Sequence, residues 1–362
     1  MRKTGVLPMQ MLRRLLPKYI HGINANSLNP ASIDLPLAEE AYRLETIFLP
    51  RPGERVRDLI KEVGGVRHDL KNHLEVGVPY LVRLAGSFRL PRMVYGYLNP
   101  KSSTGRINLL CRVVADGVEM YDALIPEGWK GETWVLAIAG SFPELLSPGN
   151  AVSQLRLFDD KSFLTPLELN LAVEEGGLIF RANGVCMHGK DLRRHDDSFL
   201  LTLRVRDDQT GFECRGVKRI LDFSKIGQYR GRDFFTLPEV RGDGVVLRRG
   251  NFYILSTDER VMVPPGLSAE LRAIDPRFGE FRSHAAGYID LGWGFGKNGE
   301  KRGRPITLEV TPHEDMFVRH GQVVARIRYE WMQEVPEVIY DAARSNYTKQ
   351  AGPKLSKHFG GW

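Results

Sequence analysis

Apolar and polar residues alternate along most of this chain. Phe199-Leu-Leu-Thr-Leu-Arg-Val205, Val261-Met-Val263 and Ile306-Thr-Leu-Glu-Val310 are strand-length runs rich in Val, Ile and Leu. Turn residues recur roughly every ten positions. Helical spacing is confined to an amphipathic stretch at Met9–Ile20, to Glu54–Val63, and to a turn after Leu221. The pattern predicts a mainly β protein of two tandem distorted antiparallel barrels or jelly rolls with a short N-terminal helix. The lobes are expected over residues 1–165 and 166–362, with the boundary near Leu164–Glu175. The charged, Gly-rich stretch from Asp191 to Arg241 reads as a long excursion of the second lobe.

Composition narrows the picture. The 362 residues suffice for two domains, and 42% hydrophobic residues can build two cores. A net charge of +7 suits a nucleic-acid partner or a polyphosphate substrate. No Lys/Arg block with interleaved aromatics marks a nucleic-acid module, so the substrate reading is preferred. Cys111, Cys186 and Cys214 are far apart, which gives no disulfide framework and no CxxC pair. The N-terminal MRKTGVLPMQMLRRLLPKYI carries charges throughout and lacks the apolar centre of a signal peptide, and no apolar run is long enough to span a bilayer. A cytoplasmic protein without membrane contact is expected.

The chain contains two copies of one module. Gly149-Asn-Ala-Val-Ser-Gln-Leu-Arg matches Gly321-Gln-Val-Val-Ala-Arg-Ile-Arg, and Ile125-Pro-Glu-Gly-Trp129 matches Ile289-Asp-Leu-Gly-Trp293. Tyr80–Pro91 matches Tyr253–Pro264 in the same order. Between these markers the first copy carries Lys101-Ser-Ser-Thr-Gly-Arg106, where two hydroxyls, a Gly and two flanking cations make a compact anion cradle.

Taken together, Pro30-Ala-Ser-Ile-Asp-Leu35, KSSTGR, I-x-x-G-W and the Gly-led strands resemble the dUTPase and dCTP deaminase superfamily. The deaminase branch, in its long, internally duplicated bacterial form, is the nearer likeness. Asn346-Tyr-Thr-Lys-Gln350-Ala-Gly352 is similar to that branch's C-terminal arm. The resemblance implies dUTPase-like barrels assembled about threefold axes, with a homotrimer the simplest closed form. It implies that Lys101, Ser102, Ser103 and Arg106 hold a triphosphate, with Lys101 standing where Arg is usual. Arg106 and Ser103 would also serve the reacting centre. Asp290 would hold the sugar 3′-hydroxyl, and Glu309 would be the catalytic base. Tyr288 and Trp293 would flank the nucleotide, and Tyr340, Gln350 and Lys349 or Lys354 would close over it.

Each copy departs from the family pattern in a different place. An ungapped match of Val135–Gly149 with Thr307–Gly321 puts Ala137 opposite Glu309, and Pro126 stands opposite Asp290. The second copy has Arg272-Ala-Ile-Asp-Pro-Arg277-Phe-Gly-Glu-Phe-Arg282 where the first has its Ser-Ser pair. The expectation is one composite site, with phosphates on the first copy and sugar and base chemistry on the second.

The expected reaction is hydrolytic deamination of dCTP without zinc. The H-x-E…P-C-x-x-C pattern of zinc deaminases is absent, and His313-Glu314 is adjacent rather than spaced. Glu309 would take a proton from water, with Arg106 and Ser103 stabilising the developing charge. Mg²⁺ would accompany the triphosphate. Two alternatives stay open. One is a dUTP diphosphatase or bifunctional enzyme using Asp290, although Gly352-Pro-Lys-Leu-Ser-Lys-His-Phe359 fits a uracil-stacking arm poorly. The other is an inactive nucleotide-binding regulator. His284, five residues before Ile289, is read as a structural histidine.

Overall fold

A computed structural model describes residues 4–124, 128–206, 210–279, 281–282, 286–342 and 346–362. Pro126 and His284, noted above, lie outside the described residues. The chain forms two compact units. The N-terminal unit comprises Val6–Lys161 together with Gly216–Arg230 and Ser356–Trp362. The C-terminal unit comprises residues 4–5, Ser162–Arg215 and Gly231–Leu355. Residues 216–230 of the stretch read as an excursion therefore build the N-terminal unit. Both units are mainly β, as the alternation predicts. Among the described residues no helix is long and apolar enough to cross a membrane.

In the N-terminal unit, α1 (Met9–Tyr19) buries Leu12 and Leu16, four positions apart on one face. The main sheet uses β1 (Ser32–Arg43), β2 (Pro79–Leu84), β3 (Tyr95–Pro100), β4 (Leu109–Ala115), β5 (Thr133–Ala139) and β6 (Ala151–Phe158). Their order is β4-β5-β2-β1-β6-β3. The long β1 turns the barrel corner. It pairs with β6 through Ile33–Pro36 and with β2 from Leu37 onward, with a bulge before Ala41. Pro36, which has no N–H to give a ladder, sits at the changeover. The helix expected over Glu54–Val63 is only Val56–Leu59. Asp116 Oδ1 accepts from Val56 N at 2.9 Å and fixes the start. Gly65 N donates back to Ile60 O at 2.8 Å and ends it.

In the C-terminal unit, α2 (Pro166–Gly176) is followed by β7 (Ser198–Thr202), β8 (Phe252–Val261), β9 (Leu267–Arg272), β10 (Arg304–Pro312) and β11 (Val323–Trp331). One sheet runs Ile179–Phe180, β8, β10, Phe281–Arg282; the other runs Arg194–His195, β7, β11, β9, Tyr288–Ile289. Their inner faces share one core, to which β8 gives Tyr253 and Leu255, and β10 gives Ile306, Leu308 and Val310. Helix α2 was not expected, because its apolar residues do not keep a helical stripe. Its start is nevertheless written in Thr165-Pro166-Leu167-Glu168, a capping box: Thr165 Oγ1 accepts from Glu168 N, and Glu168 Oε2 accepts from Thr165 N at 2.7 Å.

Candidate active site

The KSSTGR segment forms a single helical turn, Ser102–Gly105, between β3 and β4. Lys101 N donates to Val152 O and Thr104 Oγ1 donates to the same carbonyl, each at 3.0 Å, so both ends of the turn are tied to β6. Ser103 and Arg106 are buried and Ser102 is half-buried. Lys101 Nζ is ion-paired to Asp34 on β1, and Asn29 Nδ2 donates to the other Asp34 oxygen at 2.8 Å. Lys101, Ser103 and Arg106 thus sit on and beside one turn, with Asp34 ion-paired to Lys101. Asp34 stood in the quoted PASIDL motif without a role, and its signal was that motif. A cavity of about 990 Å³ opens elsewhere on this unit, against Lys18, Arg89, Trp129 and Lys130, and none of the expected site residues lines it.

The C-terminal unit gathers most of the others around β10. Glu309 is buried, and its Oε2 accepts from Ala286 N at 3.2 Å. Ala286 opens the segment that carries Tyr288, Asp290 and Trp293. Tyr288 is buried and pairs with Glu270 on β9; Asp290 is half-buried, and its carbonyl accepts from Trp293 N at 3.2 Å. Gly292 must be glycine here: its φ is +81° and an added Cβ would lie 2.6 Å from Ile339 Cβ. That close approach lets Tyr340 N donate to Leu291 O at 3.0 Å, and the Tyr340 ring packs 5.4 Å from Trp293.

Two residues missed from sequence complete this cluster. Arg304, at the start of the Glu309 strand, lies 5.7 Å from the Trp293 ring and is ion-paired to the buried Asp341. Asp341 also accepts from Gly296 N at 2.7 Å. The only sequence signal was position: Asp341 follows Tyr340, and Arg304 lies one strand-length before Glu309. Gln350 Nε2 donates to Pro305 O at 2.9 Å, so this arm residue reaches the same strand. Lys354 Nζ donates to Asn346 O at 3.2 Å and lies over Tyr347. Lys349 is exposed.

Strand register revises the comparison of the two copies. Counting from the matched Tyr80 and Tyr253, Leu81 faces Leu136 in the N-terminal unit, and Ile254 faces Glu309 in the C-terminal unit. Leu136, rather than Ala137, is therefore the counterpart of Glu309. The ungapped alignment was off by one, which in a strand means the opposite face. Trp134 is likewise the counterpart of Thr307. The difference is chemical. In the C-terminal unit Thr307 and Glu309 point away from the barrel core, which takes Ile306, Leu308 and Val310 instead. In the N-terminal unit the same face is an apolar cluster, where Trp134, Leu136 and Leu81 pack under Val56 and Ile60. The short helix Val56–Leu59 covers the face that corresponds to the one carrying Glu309.

The Ser102–Gly105 turn also differs between the copies. Its counterpart after β9 is Pro276–Phe278, where Arg277 forks onto Asp275, with Nη2 to Oδ2 at 2.6 Å. The Arg277 guanidinium is thus occupied by a carboxylate, where the N-terminal turn carries Ser102 and Ser103. Among the described residues, no three His, Cys, Asp or Glu side chains gather as metal ligands would.

The C-terminal domain model of 2′-deoxycytidine 5′-triphosphate deaminase matches residues 185–359, and the N-terminal domain model matches residues 3–161. The chain belongs to the dCTP deaminase family. A crystal structure of the dCTP deaminase from Agrobacterium tumefaciens is similar over 95% of this chain and 100% of its own, with 31% identity and a TM-score of 0.84. No curated relative matches the chain. The two dCTP deaminase domain models follow the duplication seen in the sequence, one to each copy.

Proposed function

We propose that this protein hydrolyses dCTP to dUTP and ammonia, with Glu309 as general base. The observation that carries the proposal is the buried Glu309 carboxylate on the outward face of β10, in a chain of the dCTP deaminase family. Water adds to C4 of cytosine as Glu309 takes its proton. Glu309 passes that proton to N3, then takes the proton of the new C4 hydroxyl and hands it to the amine, so that the C4–N bond breaks, ammonia leaves and C4 becomes a carbonyl. Asp290 holds the sugar hydroxyl, and Tyr288 and Trp293 flank the nucleotide. Tyr340 and Gln350 secure the arm, with Lys354 available as its cation.

Lys101, Ser102, Ser103 and Arg106 bind the phosphates, and Arg106 with Ser103 meets the charge that develops on the base. The sequence lacks the zinc-deaminase pattern, which favours this carboxylate route. Mg²⁺ would be carried by the triphosphate: Asp34, the carboxylate paired to Lys101 of the turn, is already taken by Lys101 and Asn29. A homotrimer is the proposed working form, checked by a solution mass of three chains.

Incubation with dCTP and Mg²⁺, followed by nucleotide chromatography, tests the assignment. Glu309→Gln should lose about 10²–10⁴-fold in kcat while still binding dCTP. Undiminished turnover in that variant rejects Glu309 as the base. Pyrophosphate and dUMP as products would instead assign diphosphatase chemistry.

A further inference from the structure

Of the two segments that return to the N-terminal unit, Ser356–Trp362 reaches the KSSTGR turn through Ser356, and Gly216–Arg230 meets Ser356–Trp362 at Phe223 and Tyr229. Ser356 Oγ lies 2.7 Å from Ser103 O and 2.9 Å from His358 Nδ1. His358 is fully buried, and its Nε2 lies 3.1 Å from Phe223 O. A carbonyl only accepts, so Nε2 carries the proton, and Nδ1 and Ser103 O share the single proton of the Ser356 hydroxyl. One residue further on, Phe359 pairs in parallel with Tyr229. The residues on both sides of Lys357 are thereby fixed, Ser356 to the turn and His358 and Phe359 to Phe223 and Tyr229.

We propose that Lys357 is a phosphate-binding residue of this same site, held there by Ser356 and His358. The proposal rests on the phosphate role given above to the Lys101–Arg106 turn. Lys357 Nζ lies 5.7 Å over the Phe223 ring, half-buried, and acts electrostatically on both Lys101 and Asp34. Asp34 is already ion-paired to Lys101 and bonded to Asn29, so the shared carboxylate leaves the two ammonium groups in positive excess. Burial, and then the Lys101 charge, lower the Lys357 ammonium from its usual range. A polyphosphate at Ser102 and Ser103 brings negative charge to both the Lys101 and the Lys357 ammonium groups. An ammonium on a long stem suits a phosphate chain, because it needs no fixed fork geometry.

The test separates KM from kcat. Lys357→Ala should raise KM for dCTP, and the inhibition constant of inorganic tripolyphosphate, by about ten- to a hundred-fold. It should leave kcat within about twofold and thermal stability nearly unchanged. Lys357→Arg should restore most of the affinity. Unchanged KM and unchanged tripolyphosphate inhibition in Lys357→Ala would overturn the proposal. Arg106→Ala, assayed alongside, locates the failure. Lost tripolyphosphate inhibition there with none lost in Lys357→Ala rejects Lys357 alone. No loss in either variant rejects the phosphate role of the turn, and Lys357 with it.

Discussion

At the residue scale, two buried titratable side chains of the N-terminal unit set opposite pH responses. Glu144 is fully buried, and neither carboxylate oxygen has a hydrogen-bond partner among the described residues. Burial pushes its carboxyl well above the ordinary 4.5. The stability that protonated Glu144 contributes is present below about pH 4.5 and is lost as pH rises toward its folded value. Glu144→Met should therefore raise Tm more at pH 8 than at pH 5, read by calorimetry at both. His358 behaves in the reverse sense. Burial first, and then the Lys357 charge, lower its pKa from 6.5 to about 4. The unfolded chain takes up the proton first, so its contribution is present above 6.5 and is lost as pH falls toward about 4. A His358→Asn variant should show a flatter Tm profile across that window. Neither residue stood out in the sequence, because burial of a lone Glu or His is a tertiary fact that local pattern does not carry.

At the element scale, strand content followed from alternation, and the roles of individual strands followed only in part. Alternation marked β10, and the family resemblance marked Glu309 on it. Register, which decides whether a residue meets the core or faces away, needed the partner strand. That is why Ala137 was set where Leu136 belongs. Helix α2 teaches a related lesson: its cap was legible in Thr165 and Glu168, while its weak amphipathic stripe hid the rest. Thr165→Ala removes half of that reciprocal cap, and should cost about 1 kcal/mol in chemical denaturation of the C-terminal unit. The same reasoning explains how one module yields two surfaces. Replacing Thr307 and Glu309 by Trp134 and Leu136 turns a polar working face into a hydrophobic seat for a short helix, and the ladder itself is kept.

At the scale of the whole molecule, duplication was plain from three ordered matches, and the two dCTP deaminase domain models fall one on each copy. What the sequence did not show is that residues 216–230 and 356–362 complete the N-terminal unit. Such pairings join positions far apart in sequence, and no periodicity encodes them. The +7 net charge gives a further expectation. Raising salt from low to physiological strength should raise KM for dCTP and leave kcat nearly constant, because screening weakens capture of a polyanion more than chemistry at a buried carboxylate. Finally, the Ser356–Ser103 clasp bears on how the protein is made. Domains generally fold in order as they emerge from the ribosome. Here the amino-terminal barrel must wait, with the turn at Ser103 unlatched, until a segment 253 residues further along the chain has been translated.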